Sequence, residues 1–270
     1  MNEKSSAFVG SIPENYDRGL GPYIFHDYAD DLAARAAASN AVDVLELAAG
    51  TGIVSRRLKD ALTAHARLVV TDLNPPMLDV AKAKFAENED VAFRPADAMD
   101  LPFEDSTFDL LVCQFGVMFF PDKPAAFLEA GRVLRSGGTY LFNIWGSMSE
   151  NPYSEIADDV GAQFFPDNPP GFYKVPFGYS DPRIVMADMK AGGLCDVQYE
   201  ILAFDKDAVD WAPFARGLVF GNPFIDEINN RGGVDPEAVE QAILSALRER
   251  FGHEPASMPL LATVYSGKAP

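Results

Sequence analysis

Residues Val44 to Gly52 read VLELAAGTG, an apolar run that breaks into small residues and glycines, and Asp72 ends a second apolar stretch, LVVTDLN. Glycines at such a break let a ligand come close to the backbone, and an acid about 20 residues further on can accept two ribose hydroxyls. The pairing describes a site for an adenosine-bearing ligand. Gly50 to Ser55 read G-x-G-x-x-S, so the third glycine of a dinucleotide fingerprint is missing. No G-K-S or G-K-T follows, and the loop has no lysine or arginine before Arg56. A ligand without a pyrophosphate is therefore expected.

Three further blocks follow in order: VVTDLNPPML ending at Leu78, RPADAMDLPFEDSTFDLLVCQF from Arg94 to Phe115, and RVLRSGG from Arg132 to Gly138. With VLELAAGTG they cover roughly residues 42 to 145, and the set resembles the class I S-adenosylmethionine-dependent methyltransferases, in particular the small-molecule branch that includes quinone-ring enzymes. The resemblance implies S-adenosylmethionine as cofactor and a role for each matching position. Glu46 would help place the methionine amino group, and the backbone at Ala48, Gly50 and Gly52 would pass under the cofactor. Asp72 would accept the ribose hydroxyls, with Leu73 and Met77 against the adenine. Asp97 would accept the adenine amino hydrogen, the backbone of Ala98 would meet the ring, and Gln114 and Phe115 would lie beside the methyl group. The chain departs from the usual pattern in having Glu46 for Asp and Ala49 for Cys or Gly; both changes preserve the chemistry.

Structural alternatives accompany these roles. Asp72 precedes Asn74, Pro75 and Pro76 and could cap the next helix, Asp97 could be a turn residue, and Met77 could be core. The elements that must hold the site alternate strand and helix. Helices are expected to begin near Gly52, Pro75 and Pro124, and a fifth strand to run from Thr139 to Ile144. Such alternation predicts an α/β fold, a doubly wound and mostly parallel sheet of Rossmann-like type, whose ligands bind at the carboxyl ends of the strands. We divide the chain into an arm and helix over the cofactor (1–40), a cofactor-binding core (41–145) and the remaining strands with aromatic-rich lid insertions (146–270). Ala7 to Gly21 reads as an irregular arm and Pro22 to Ala38 as one helix; the resemblance implies that the arm folds over the cofactor, with Tyr16 as the contact. Later, PRIVMADMKAGG reads as a helix, Val197 to Leu202 and Leu260 to Tyr265 as strands, and 146–180 and 203–259 as a lid.

Aromatic residues crowd the region after the fourth strand: Phe119, Phe120, Trp145, Phe164, Phe165, Phe172, Tyr173, Phe177, Tyr179, Trp211, Phe214, Phe220 and Phe224. As a group they predict a dry pocket for an apolar or aromatic acceptor, although each taken singly reads more readily as lid packing. No residue is assigned as a catalytic base. His26, beside Asp27, reads as a surface-facing helical histidine, with deprotonation of a phenol as the alternative. Cys113 reads as a packed thiol, and no Cys and His cluster points to a metal.

Composition sets the outer bounds. With 40 acidic and 22 basic residues, net −18, the 270-residue chain repels polyanions, and no basic cluster suits a nucleic acid. A small-molecule substrate is expected, with neither nucleic acid nor membrane as partner and with no heptads or unusual apolar face to indicate an oligomer. The first ten residues lack the apolar segment of a signal peptide, and two cysteines are too few for a disulfide framework, so a reducing cytoplasm is the expected compartment.

Overall fold

A computed structural model of the chain describes residues 6–270. Its centre is a seven-stranded sheet in the order β3-β2-β1-β4-β5-β7-β6. The strands are β1 (Asp43–Glu46), β2 (Arg67–Asp72), β3 (Val91–Pro95), β4 (Phe108–Gln114), β5 (Leu134–Trp145), β6 (Cys195–Val209) and β7 (Ala256–Lys268). Pairings from β3 through β5 are parallel, and β7 is antiparallel to both β5 and β6. Central strands of a sheet covered on both faces must be apolar on both sides, and β1 is buried at all four positions. This is the expected doubly wound α/β fold.

The parallel strands are linked by α3 (Ile53–Ala61), α4 (Pro75–Lys82) and α5 (Lys123–Val133). Each starts within a residue of the place expected, because proline in the first turn sets α4 and α5, and the Asp122 side chain caps α5 by accepting from Ala125 N. After β5 come α6 (Pro152–Phe164), α7 (Pro182–Ala191), α8 (Trp211–Phe220), α9 (Phe224–Arg231) and α10 (Pro236–Phe251). Among the described residues no helix is long and apolar enough to cross a membrane.

Three readings need correction. The segment expected to be irregular contains α1 (Ile12–Gly19), and the single helix expected from Pro22 divides into a π-helical turn, Gly21–Phe25, and α2 (His26–Ala38). An isolated eight-residue helix is marginal in water. Here α1 lies on α8 across a glycine pair, since a Cβ on Gly217 would fall 2.5 Å from the carbonyl carbon of Gly19. Finally, β6 and β7 extend beyond the predicted strands, so 203–209 and 256–259 belong to the sheet and leave 210–255 as the helical second insertion. Their long antiparallel pairing supplies hydrogen bonds that alternation in either strand alone does not announce.

Candidate functional site

The sheet order reverses direction beside β1, between β2 and β4, and a cavity of about 520 Å³ opens at the carboxyl ends of these strands. It is lined by ten of the twelve residues singled out above: Tyr16, Ala48, Gly50, Asp72, Leu73, Met77, Asp97, Ala98, Gln114 and Phe115. Glu46 and Gly52 do not line it. Gly52 serves packing instead. It has φ +78°, and a Cβ there would lie 2.7 Å from the Ala81 Cβ, so α3 and α4 meet at this glycine. At Gly50 (φ +57°) the nearest neighbour of such a Cβ is the cavity-lining Met77 Cε at 3.5 Å.

Asp72 terminates β2 and is 6% exposed. Its Oδ2 accepts from Gly50 N at 2.8 Å, and its Oδ1 accepts from Asn74 N at 2.7 Å and Asn74 Nδ2 at 3.3 Å. Burial raises its pKa, against lowering by the hydrogen bonds from Asn74 and Gly50. The carboxylate thus locks the glycine turn and the start of α4 together; the capping position of α4 itself is Asn74. Glu46, the last residue of β1, is buried with Oε2 unpartnered among the described residues. Burial lifts its pKa from an ordinary 4.5 to about 8; the Ser55 hydroxyl opposes the rise and the charge of Asp72 adds to it. Asp97 is exposed on the cavity rim, where Oδ1 accepts from Met99 N at 2.9 Å, so it is both a turn residue and a lining residue.

The arm closes one wall. Asn74 Nδ2 donates to Ser6 O at 3.0 Å and its Oδ1 accepts from Phe8 N at 3.3 Å, while Asp17 takes hydrogen bonds from Thr51 Oγ1 at 2.7 Å and from Lys84 Nζ. These bonds hold Tyr16 stacked on Phe25 with centroids 4.8 Å apart. Asn74, Asp17 and Thr51 escaped the sequence reading because their partners are remote in the chain. Gly217→Ala tests the wall: the added methyl pushes α1 from α8 and is expected to lower the unfolding free energy by about 1–3 kcal/mol, read as a fall in denaturant midpoint.

The remaining wall is aromatic. Phe115 and Trp145 stack at 3.8 Å with planes 7° apart, and Phe119, Phe120, Phe172, Tyr173 and Phe177 line the same space. Phe115 is held at φ +50° by Asn143, whose Oδ1 accepts from Phe115 N at 3.1 Å. Of the aromatic residues grouped above, Phe164, Phe165, Tyr179, Trp211, Phe214, Phe220 and Phe224 are not in the lining and pack the insertions instead. Tyr153 on α6 and Asn222 after α8 line the cavity and were missed, for no local pattern marks them. His26 does not line it and is half-buried rather than surface-facing; burial lowers its pKa, with Arg57, Lys206 and Lys84 adding to that. Cys113 is fully buried, and burial pushes its thiol up to about 12. Among the described residues no group of three or more His, Cys, Asp or Glu is placed to hold a metal.

Comparison with known proteins agrees with this architecture. Residues 45–142 match the family model described as a methyltransferase domain. The chain is 38% identical over 135 residues to the demethylmenaquinone methyltransferase of Lactiplantibacillus plantarum, covering 47% of this chain and 56% of that protein. It is 37% identical over 126 residues to the ubiquinone/menaquinone biosynthesis C-methyltransferase UbiE of Xylella fastidiosa, covering 46% and 50%. The chain thus spans about half the length of the curated relatives it matches. Among solved structures, the YcgJ protein of Bacillus subtilis superposes with a TM-score of 0.57 at 21% identity over 90% of this chain and 98% of that one. The [4+2]-cyclase SpnF superposes with a TM-score of 0.55 at 18% identity over 92% and 84%. At these identities the superpositions speak for the fold. Residues 45–142 thus match a methyltransferase domain, and the seven-stranded sheet that contains them has the Rossmann-like fold of these solved structures.

Proposed function

We propose that the cavity binds S-adenosylmethionine and that the protein transfers its methyl group to a small, largely apolar acceptor. The observation that carries this reading is the buried carboxylate of Asp72, tied to the Gly50 turn at the carboxyl end of β2 and lining a cavity whose far wall is aromatic. A buried, unpartnered carboxylate oxygen is costly unless a ligand completes it; Glu46 Oε2 stands outside the lining, one residue before the lining Leu47, and its charge suits an ammonium group such as that of a methionine moiety. Asp72 Oδ2 accepts from Gly50 N alone and keeps a lone pair for a ribose hydroxyl, while Oδ1 takes both Asn74 N and the longer bond from Asn74 Nδ2, which a second hydroxyl would displace. Leu73, Met77 and Ala98 offer apolar surface to an adenine, and Asp97 an acceptor for its amino group.

The cofactor would supply an electrophilic methyl on sulfur. The protein's share is to hold the acceptor in line, exclude water and seat the charged ends of the donor; positioning of this kind is worth about 7–11 kcal/mol of barrier. The stacked Phe115–Trp145 pair, with Phe119, Phe172 and Phe177, suits a flat, apolar acceptor. The quinone-ring chemistry in the names of the two curated relatives points the same way. The test is transfer of labelled methyl from S-adenosylmethionine into a host-cell extract split into organic-soluble, protein and nucleic-acid fractions. Label in the organic fraction is expected; label confined to protein or nucleic acid would refute the small-molecule reading.

A further inference from the structure

The aromatic end of the cavity is short of bases. Among the described residues its lining contains no His, Lys, Arg or Glu, and its two carboxylates, Asp72 and Asp97, sit on the strand ends, where the Gly50, Asn74 and Met99 amides engage them. Yet that end is not purely apolar: Tyr16, Tyr153, Tyr173 and Asn222 all line it. Tyr173 spends its proton on Leu218 O at 2.6 Å, and Asn222 is fully engaged, donating to Leu218 O and Tyr173 Oη and accepting from Phe224 N. The hydroxyls of Tyr16 and Tyr153 have no hydrogen-bond partner among the described residues; Tyr153 lies in the field of Tyr173, Tyr28 and Tyr16, and Tyr16 in that of the carboxylates of Asp72 and Asp17. Burial holds both phenols protonated by raising their pKa. Two tyrosines with uncommitted O–H donors, and no His, Lys, Arg or Glu, therefore belong to the lining. Neither hydroxyl is committed to a protein acceptor, so each is available to an oxygen of a ligand in the cavity.

Resting on the function proposed above, we infer that the acceptor is a small planar enol or phenol that reacts as its preformed anion, with the hydroxyls of Tyr153 and Tyr16 donating to the oxyanion. A neutral hydroxyl would need a base to take its proton, a contribution typically of about 10²–10⁴ in rate, and the only basic side chains of the described lining, Asp72 and Asp97, stand at the strand ends, where the cofactor is proposed to bind. An anion needs none. Its electron pair, on oxygen or on the ring carbon conjugated with it, forms the new bond to the methyl carbon as the carbon–sulfur bond breaks and its pair passes to sulfur. On oxygen the step is then complete; on carbon, the ring proton leaves to water as aromaticity returns. Anion and sulfonium cancel in a cavity where either charge alone is poorly solvated, so acceptor ionisation is coupled to cofactor charge.

The test is spectroscopic and requires no turnover. 4-Nitrophenol, whose phenolate absorbs in the visible, is titrated on the full chain loaded with sinefungin, an unreactive amine analogue of the cofactor, or with S-adenosylhomocysteine, which lacks the positive charge. The bound probe is expected to ionise at least one pH unit lower than in water with sinefungin and less so with S-adenosylhomocysteine. Tyr153→Phe and Tyr16→Phe, which keep the rings, should each return part of that shift. A probe that ionises no more readily when bound, a shift untouched by both substitutions, or no binding to the loaded protein would overturn the inference while calorimetric binding of sinefungin leaves the functional reading standing. Absence of sinefungin and S-adenosylmethionine binding would remove both.

Discussion

Asp72→Ala is expected to weaken S-adenosylmethionine binding by about 1.5–3 kcal/mol, roughly 10- to 150-fold in Kd. In the proposed role the loss is that of charge-assisted hydrogen bonds to the ribose hydroxyls, and geometry adds a second contribution. Without the carboxylate, the amides of Gly50 and Asn74 lose the acceptor that closes the glycine turn on α4. Part of the effect is therefore disorder of the turn, which a denaturant midpoint measured on the free protein separates from lost ligand contacts. Titration calorimetry reads the affinity, and an unchanged Kd would end the assignment of Asp72 to the ribose.

Glu46→Gln should reduce a pH dependence of stability. In the free protein Glu46 is neutral below about 8, and an unfolded glutamate ionises near 4.5. As pH rises through that window the unfolded chain releases the proton and the folded one does not, so stability present at low pH is lost by up to about 1.4 kcal/mol per pH unit. The glutamine side chain does not titrate, so between pH 5 and 8 the variant should lose less stability than the wild type. Asp72, its pKa also raised by burial, contributes to the slope of both proteins, and the difference between them isolates Glu46. Binding should show the mirror image. A ligand ammonium favours the ionised carboxylate, so wild-type affinity for S-adenosylmethionine should climb between pH 6 and 8, by at most about tenfold per unit, and Glu46→Gln should be weaker and flat. A wild-type affinity independent of pH over that range would show that Glu46 does not meet the amino group.

Both experiments concern residues that declared themselves in the linear order. Glu46, Gly50 and Asp72 stand at ends of apolar runs, and a run that stops abruptly at small or acidic residues marks the carboxyl end of a buried strand; the cavity opens at Gly50 and Asp72, while Glu46 does not line it. Gly52 shows the limit of that logic. A glycine needed for close helix packing and one needed for ligand approach look alike in sequence; only the neighbour 2.7 Å from its absent Cβ, Ala81, tells which it is. Asp97 is both things at once, turn and lining, because an Asx turn uses one carboxylate oxygen and leaves the other.

The linear order of apolar runs, glycines and prolines by itself determined the alternating strands and helices, the parallel part of the sheet and the row of strand-end residues, since all of these follow from local propensity and short connections. Tertiary structure alone decided the rest. Helix α1 exists where it does because Gly19 meets Gly217, far along the chain, and because Asp17 reaches Thr51 and Lys84. The lengths of β6 and β7 depend on each other. Which aromatic residues face the cavity, and that Tyr153 and Asn222 join them, depends on how α6 and α8 lie against β5 and α1. Contacts between residues far apart in the chain leave no periodic trace in either segment, and the acceptor half of the site is made of such contacts.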